Sequence, residues 1–196
     1  VKHPRDMTTR QKAYGLAAVA AGVGVLLPDF ANAGRSFLPS VIAGDIVKAY
    51  GIGEDLALAI AEMANDLDID PYALANVINF ESGFNPAAKN PSSSASGLIQ
   101  FIESTAQRLG TSTAALRQMG AVQQMTYVRA YFAPFDDLRR AHAVAMAVFY
   151  PKAITWPSFR PFPIKVIKAN GWKFYTPGGY LKLMNKGAKL PAIVPR

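Results

Sequence analysis

Residues 79–101 read NFESGFNPAAKNPSSSASGLIQF and hold a single carboxylate, Glu81. It closes an apolar stretch and precedes a loop of Gly, Asn, Pro and Ser that returns to Gly97, Leu98, Ile99 and Gln100. A carboxyl set against apolar walls has its charged form disfavoured, so its pKa rises. Such a group keeps its proton near neutral pH and can give it up as a general acid. The plainer reading of the same spacing is a helix-end glutamate that faces water. Other chemistries find little support. The chain has no cysteine, which removes disulfides and thiolate metal sites, and its two histidines, His3 and His142, lie far apart. No metal and no cofactor is expected.

A helix from Pro71 must position Glu81. Asp70 is its expected N-cap, Pro71 takes the first helical position, and Gly83 is a C-terminal stop. On that helix Leu74, Val77, Ile78 and Glu81 share one face by i, i+3, i+4 spacing, so Glu81 continues the buried stripe. Further helices are expected over GEDLALAIAEMANDLD, STAQRLG with a Ser/Thr cap, AVQQMTYVRAYF and DDLRRAHAVAMAVFY. In TPGGYLKLMNKG the Thr-cap and Pro-first device recurs. Asp136 and Asp137 read as caps at a helix start. Residues 151–163 form an aromatic, proline-rich loop, and residues 164–167 alone suggest a short strand. There is no internal repeat. The fold class is mainly α, with one core in 196 residues that are 51% hydrophobic.

Two domains are expected, 1–44 and 45–196. Lys2, Arg5, Arg10 and Lys12 precede an uncharged run at 14–27, followed by Ala31, Asn32 and Ala33. That is the layout of a secretory signal peptide with a cut after Ala33. The chain starts at Val1 rather than Met, and the reading adopted is a retained segment. Its fourteen uncharged residues fall short of the ~20 that span a bilayer. They suit a helix buried in an assembly or one in contact with a membrane. Residues 28–44 read as a linker.

Charge is distributed unevenly. Residues 1–137 hold ten Lys/Arg against thirteen Asp/Glu, whereas residues 138–196 hold eleven Lys/Arg and no acid. A one-signed field favours an anionic partner: a cell-wall polymer, a membrane surface or a nucleic acid. A solvated face kept for solubility is the alternative.

The stretch that begins at Glu81 resembles the soluble lytic transglycosylase (SLT) family, whose catalytic domain is lysozyme-like, of the goose type. The resemblance rests on Glu81-Ser82, Asn85-Pro86-Ala87-Ala88, Gly97-Leu98-Ile99-Gln100 and Thr105-Ala106 at the family's spacing. It extends more weakly to AVAMAVFYPKA, where Tyr150 matches the family's substrate-binding tyrosine, and covers roughly 54–186. It implies that Glu81 protonates the glycosidic oxygen between MurNAc and GlcNAc and then acts as base. The substrate's N-acetyl group and then its 6-hydroxyl attack the anomeric carbon, so no second carboxylate is needed. It also implies glycan-binding roles around Asn90, Gly97, Leu98, Ile99, Gln100 and Tyr150. Asn90 stands where the family often has a Ser near the acid, and Pro151-Lys152 replaces the segment after the tyrosine. Glu103 reads as a surface acid favoured by a helix dipole.

The expected function is peptidoglycan cleavage by a lytic transglycosylase acting on glycan strands. The retained apolar segment and the NPSSSASGLIQF variant, similar to phage tail versions of the family, suggest a virion setting. There the chain would sit with other tail or internal proteins and act in the host periplasm. Alternatives are a periplasmic enzyme of a secretion or conjugation apparatus, and a non-enzymatic virion protein gripping glycan or, less favoured, nucleic acid.

Overall fold

The computed structural model describes residues 38–136, 138–171 and 173–190. The apolar run at 14–27, the expected cut after Ala33, Asp137 and Trp172 lie outside the described residues.

The helix that carries Glu81 is the centre of the fold. Helix α1 (Pro39–Tyr50) packs on α2 (Glu54–Asp66), and both touch α3 (Pro71–Ser82). After the loop of Asn, Pro and Ser come two short helices, α4 (Glu103–Arg108) and α5 (Thr113–Leu116). Helix α6 (Ala121–Phe132) lies along α2, and α7 (Ala141–Phe149) lies along α3. A 3-10 turn (Pro151–Ala153), α8 (Ile164–Ala169) and α9 (Pro177–Asn185) complete the chain, with α9 returning to α3 and α7. The described residues are mainly α, with isolated antiparallel bridges only, Lys89 to Ser96 and Ser96 to Phe101.

Local signals account for α3. Asp70 Oδ1 accepts the Ala73 N–H at 2.9 Å, Pro71 fills the first position, and Gly83 ends the helix at φ 59°. Residues 73–78 are all buried, because α1, α2, α7 and α9 surround the helix. Asn76 is the one polar residue in that stretch, and its Oδ1 accepts from the Tyr50 hydroxyl. The alanines at 73 and 75 on α3 and at 143, 145 and 147 on α7 are buried, and the two helices pack against each other.

Four expectations change. Residues 39–44 are helix rather than linker: Pro39 is a helix start, and Ile42, Ala43 and Ile46 are buried beside α2. That packing outweighs the roughly 1 kcal/mol cost of Gly44 in a helix interior. Residues 164–167 are helix, not strand, with Pro163 at the N-cap and Ile167 in the core. Helix α4 starts at Glu103 and has no side-chain cap; Ser104 and Thr105 lie within it. Helix α7 starts at Ala141 with Arg140 at its N-cap, so Asp136 precedes the helix by a bend and does not cap it. The Thr176 cap on Gly179 and the Pro177 start of α9 are present as expected.

Candidate active site

Glu81 occupies the last turn of the central helix, just past its fully buried stretch. Its side chain is only partly open to solvent, and burial raises its pKa to about 7, against the opposing pull of one hydrogen bond. That bond comes from the Tyr180 hydroxyl, which donates to Glu81 Oε1 at 3.0 Å. Among the described residues no neighbouring charge contributes to the shift. The carboxyl is thus desolvated but unpaired with any cation, so the proton stays on it near neutral pH.

Tyr180 was not singled out from the sequence. It sits 99 residues from Glu81, on α9, and only 2% of its surface is exposed. Its ring stacks on Phe149 at 4.4 Å and meets Phe80 and Phe174 edge-on at 5.6 and 5.1 Å. Those contacts hold the hydroxyl on the carboxyl. The available signal was the capped TPGGYLKLM helix, which places Tyr180, Leu181 and Met184 on one buried face. Removing the hydroxyl alone has a directional consequence. In Tyr180→Phe the ring packing persists and the bond that lowers the Glu81 pKa disappears. The alkaline limb of the kcat/KM profile is therefore expected to move to higher pH, because the active acid is the protonated form. A limb that stays in place or moves to lower pH would sever Tyr180 from the acid.

Tyr131, on α6, was also missed. Burial first, and then the Glu81 charge, push its hydroxyl up to about 12, with Arg108 opposing. That hydroxyl donates to Ala147 O at 2.6 Å and so braces α6 against α7.

The loop after Glu81 is anchored to the same helix. Ser82 Oγ, one residue after the acid, donates to Leu98 O at 2.9 Å and to Ile78 O at 3.1 Å. On its other side the loop rests on Gln124, a wholly buried amide on α6 that sequence reading overlooked. Its Oε1 accepts the Leu98 N–H at 3.0 Å, while Nε2 donates to Pro86 O at 2.7 Å and Leu116 O at 2.6 Å. One side chain therefore holds both ends of the loop and the end of α5. Glu103 acts similarly nearby. It accepts from Thr113 Oγ1 at 2.5 Å and Thr113 N at 3.1 Å, and the Thr113 hydroxyl is the main reason its pKa is lowered. The acid expected at a helix start does stand in the first turn of α4, and it also clips α4 to α5.

These contacts revise the expected roles. The Leu98 N–H and one acceptor position of its carbonyl are engaged within the protein and its side chain is fully buried, so Leu98 shapes the loop and keeps one carbonyl lone pair for any further bond. Ile99 is likewise in the core. Gly97 bonds to Ala88 O at 2.8 Å and has φ +79°. A Cβ there would lie 2.6 Å from Gln124 Oε1, so glycine serves both the turn and the close approach. Gln100, half-exposed, also has positive φ (54°), and its Nε2 donates to Gly97 O at 3.2 Å. Asn90 Oδ1 accepts from Ser92 N at 2.8 Å and its own N–H reaches Ala95 O, so it ties down the loop; the bond on Glu81 comes from Tyr180 instead. Tyr150 ends α7 half-exposed, edge-on to Trp156 at 5.7 Å and Phe162 at 5.8 Å. It is next in the chain to Phe149, the ring beneath Tyr180.

Gly97→Ala tests the anchor. The methyl group must displace an amide held by three buried bonds, and alanine is strained at this φ. We expect a loss of about 2–4 kcal/mol, or roughly 5–15 °C in Tm. An unchanged melting curve would show that the loop is not pinned on Gln124.

The architecture of the described residues is mainly helical, as the sequence led us to expect, and is consistent with a lysozyme-like domain. Residues 48–126 match the transglycosylase SLT domain, a span from the end of α1 into α6 that includes Glu81, Gly97, Gln100 and Gln124. The match covers 79 of the 196 residues, so over that span the chain is similar to the transglycosylase SLT domain. No curated protein and no solved structure matches the chain.

Proposed function

We propose that this chain is a peptidoglycan lytic transglycosylase in which Glu81 is first the acid and then the base. The observation that carries the reading is a carboxyl with pKa near 7, set in the last turn of α3 with the Tyr180 hydroxyl on one oxygen and no cation beside it among the described residues. The Glu81 proton goes to the glycosidic oxygen, and the C1–O bond of MurNAc breaks. The substrate's own N-acetyl carbonyl oxygen attacks C1 and forms a cyclic cation. Glu81, now ionised, takes the proton of the MurNAc 6-hydroxyl, whose oxygen displaces the acetamide and closes a 1,6-anhydro ring. Glu81 regains its proton and no water is consumed. A group with pKa near ambient pH suits both half-reactions. The ordinary two-carboxylate scheme requires a partner acid, and substrate assistance is its recognised exception.

In this reading Gln100 and Tyr150 are the half-exposed polar groups that meet the glycan, and Asn90, Gly97, Leu98 and Ile99 hold the loop in shape. Digestion of purified peptidoglycan tests the chemistry. The expected products are muropeptides without a reducing end, one water lighter than hydrolysed ones. Hydrated, reducing MurNAc as the sole product would make the chain a muramidase with the same acid. Absence of any cleavage would leave a glycan-gripping structural protein.

The setting we propose is the virion, with action in the host periplasm. The support is the uncharged run at 14–27 and the phage-like NPSSSASGLIQF loop. Mass spectrometry of the native protein is the check: a mature chain starting at Gly34 would instead favour a periplasmic enzyme.

A further inference from the structure

After the 3-10 turn the chain makes an excursion, residues 154–176, before entering α9. Two backbone bonds close it: Phe162 N–H to Tyr175 O and Gly178 N–H to Ser158 O, both 2.8 Å. Its inner rings are structural. Phe162 and Phe174 pack on Phe149, and Trp156 packs on Tyr150 and Phe162.

Three of its outer apolar or aromatic side chains are strongly exposed. Phe159 is 78% exposed, Ile164 58% and Tyr175 54%. Exposed Arg160, Lys165, Lys168 and Lys173 alternate with them along the chain, and the Arg160 guanidinium is fixed 4.1 Å over the Trp156 ring. No Asp or Glu follows Asp137 in the sequence, so nothing from this part of the chain neutralises the cations. Solubility alone would account for the lysines but would not place a phenylalanine and an isoleucine among them. A sugar polymer could stack on Phe159 and Tyr175, yet it has no use for Ile164. A nucleic acid leaves the same isoleucine unexplained. A bilayer uses every member: apolar side chains enter the boundary between headgroups and acyl chains, and cations meet lipid phosphates.

We propose that the 154–176 excursion is a docking surface for an anionic phospholipid membrane. The apolar contacts come from Phe159, Ile164 and Tyr175, and the charge complementarity from Arg160, Lys165, Lys168 and Lys173. No described helix is long and apolar enough to cross a membrane, so this contact lies on the surface. The inference is independent of the reaction at Glu81. It adds a consequence to it: Tyr150 packs on Trp156 of the excursion, so docking brings Tyr150 close to the bilayer.

The cysteine-free chain allows a clean test. In the full chain, Phe159→Cys would carry a polarity-sensitive fluorophore, with a labelled Gln123→Cys on α6 as the comparison. Vesicles mixing anionic and zwitterionic phospholipids are expected to shift the emission of the label at 159 to the blue and leave that at 123 unchanged. Zwitterionic vesicles should shift neither. Lys165→Gln, Lys168→Gln and Lys173→Gln together should lower the partition coefficient at low salt by roughly 100-fold, about fivefold for each charge removed. Vesicle binding without a shift at 159 would overturn the proposal and assign the contact to another segment, such as residues 14–27. Equal shifts at both labels would overturn it too. So would binding to isolated cell wall, or to nucleic acid, with none to vesicles.

Discussion

Glu81→Gln is expected to lower cell-wall lysis by at least about 100-fold while leaving the fold intact. The amide keeps the shape of the carboxyl, and its oxygen can still accept from Tyr180, so the hydrogen bond at 3.0 Å has a ready substitute. What disappears is the transferable proton. Without it the leaving oxygen must depart as an alkoxide, and no base remains to activate the 6-hydroxyl. Both halves of the reaction fail together, so the loss should fall on kcat more than on KM. Circular dichroism separates the chemical effect from misfolding. A well-folded Gln variant that lyses wall at near the original rate would remove Glu81 from the mechanism.

The same substitution is expected to stabilise the protein above neutral pH. The Glu81 carboxyl has a pKa of about 7 in the folded chain, against 4.5 as its ordinary value. Between those values the native state binds the proton more tightly than the unfolded state. Stability from this group is therefore fully present below about 4.5 and is lost as pH rises through about 7. The shift corresponds to on the order of 3 kcal/mol, less the effect of any water that reaches the carboxylate. Denaturation at pH 8 should show Glu81→Gln more stable than the parent by up to that amount, with the two nearly equal at pH 4.5. Parallel pH curves for the two proteins would mean that the carboxyl is solvated. Under the proposed function this desolvated acid is a stability cost that the reaction requires.

The excursion at 154–176 gives the acid-free C-terminal region a use apart from the chemistry at Glu81. Its charges act over a Debye length of about 8 Å at physiological salt, so docking should weaken with ionic strength. Proton transfer at Glu81, which no neighbouring charge perturbs, should respond less.

The sequence by itself determined what neighbouring residues decide among themselves. Asp70, Pro71 and Gly83 delimit α3, and Thr176 with Pro177 starts α9, because caps and stops act over a few residues. Apolar spacing on α3 also pointed Glu81 inward, and the burial that raises its pKa follows from that. Short apolar segments were less legible. Residues 39–44 and 164–167 each fit more than one local structure, and packing of Ile42, Ile46 and Ile167 into the core selected helix for both. What only the tertiary structure decided is who touches the site. Tyr180 meets Glu81 from 99 residues away, and Gln124 reaches back 26 residues to Leu98 and 38 to Pro86. No periodicity encodes such pairings, since a buried hydroxyl or amide needs a partner but its own sequence does not say which. The partner is set when α9 and α6 pack against the central helix and leave those polar groups no water to bond.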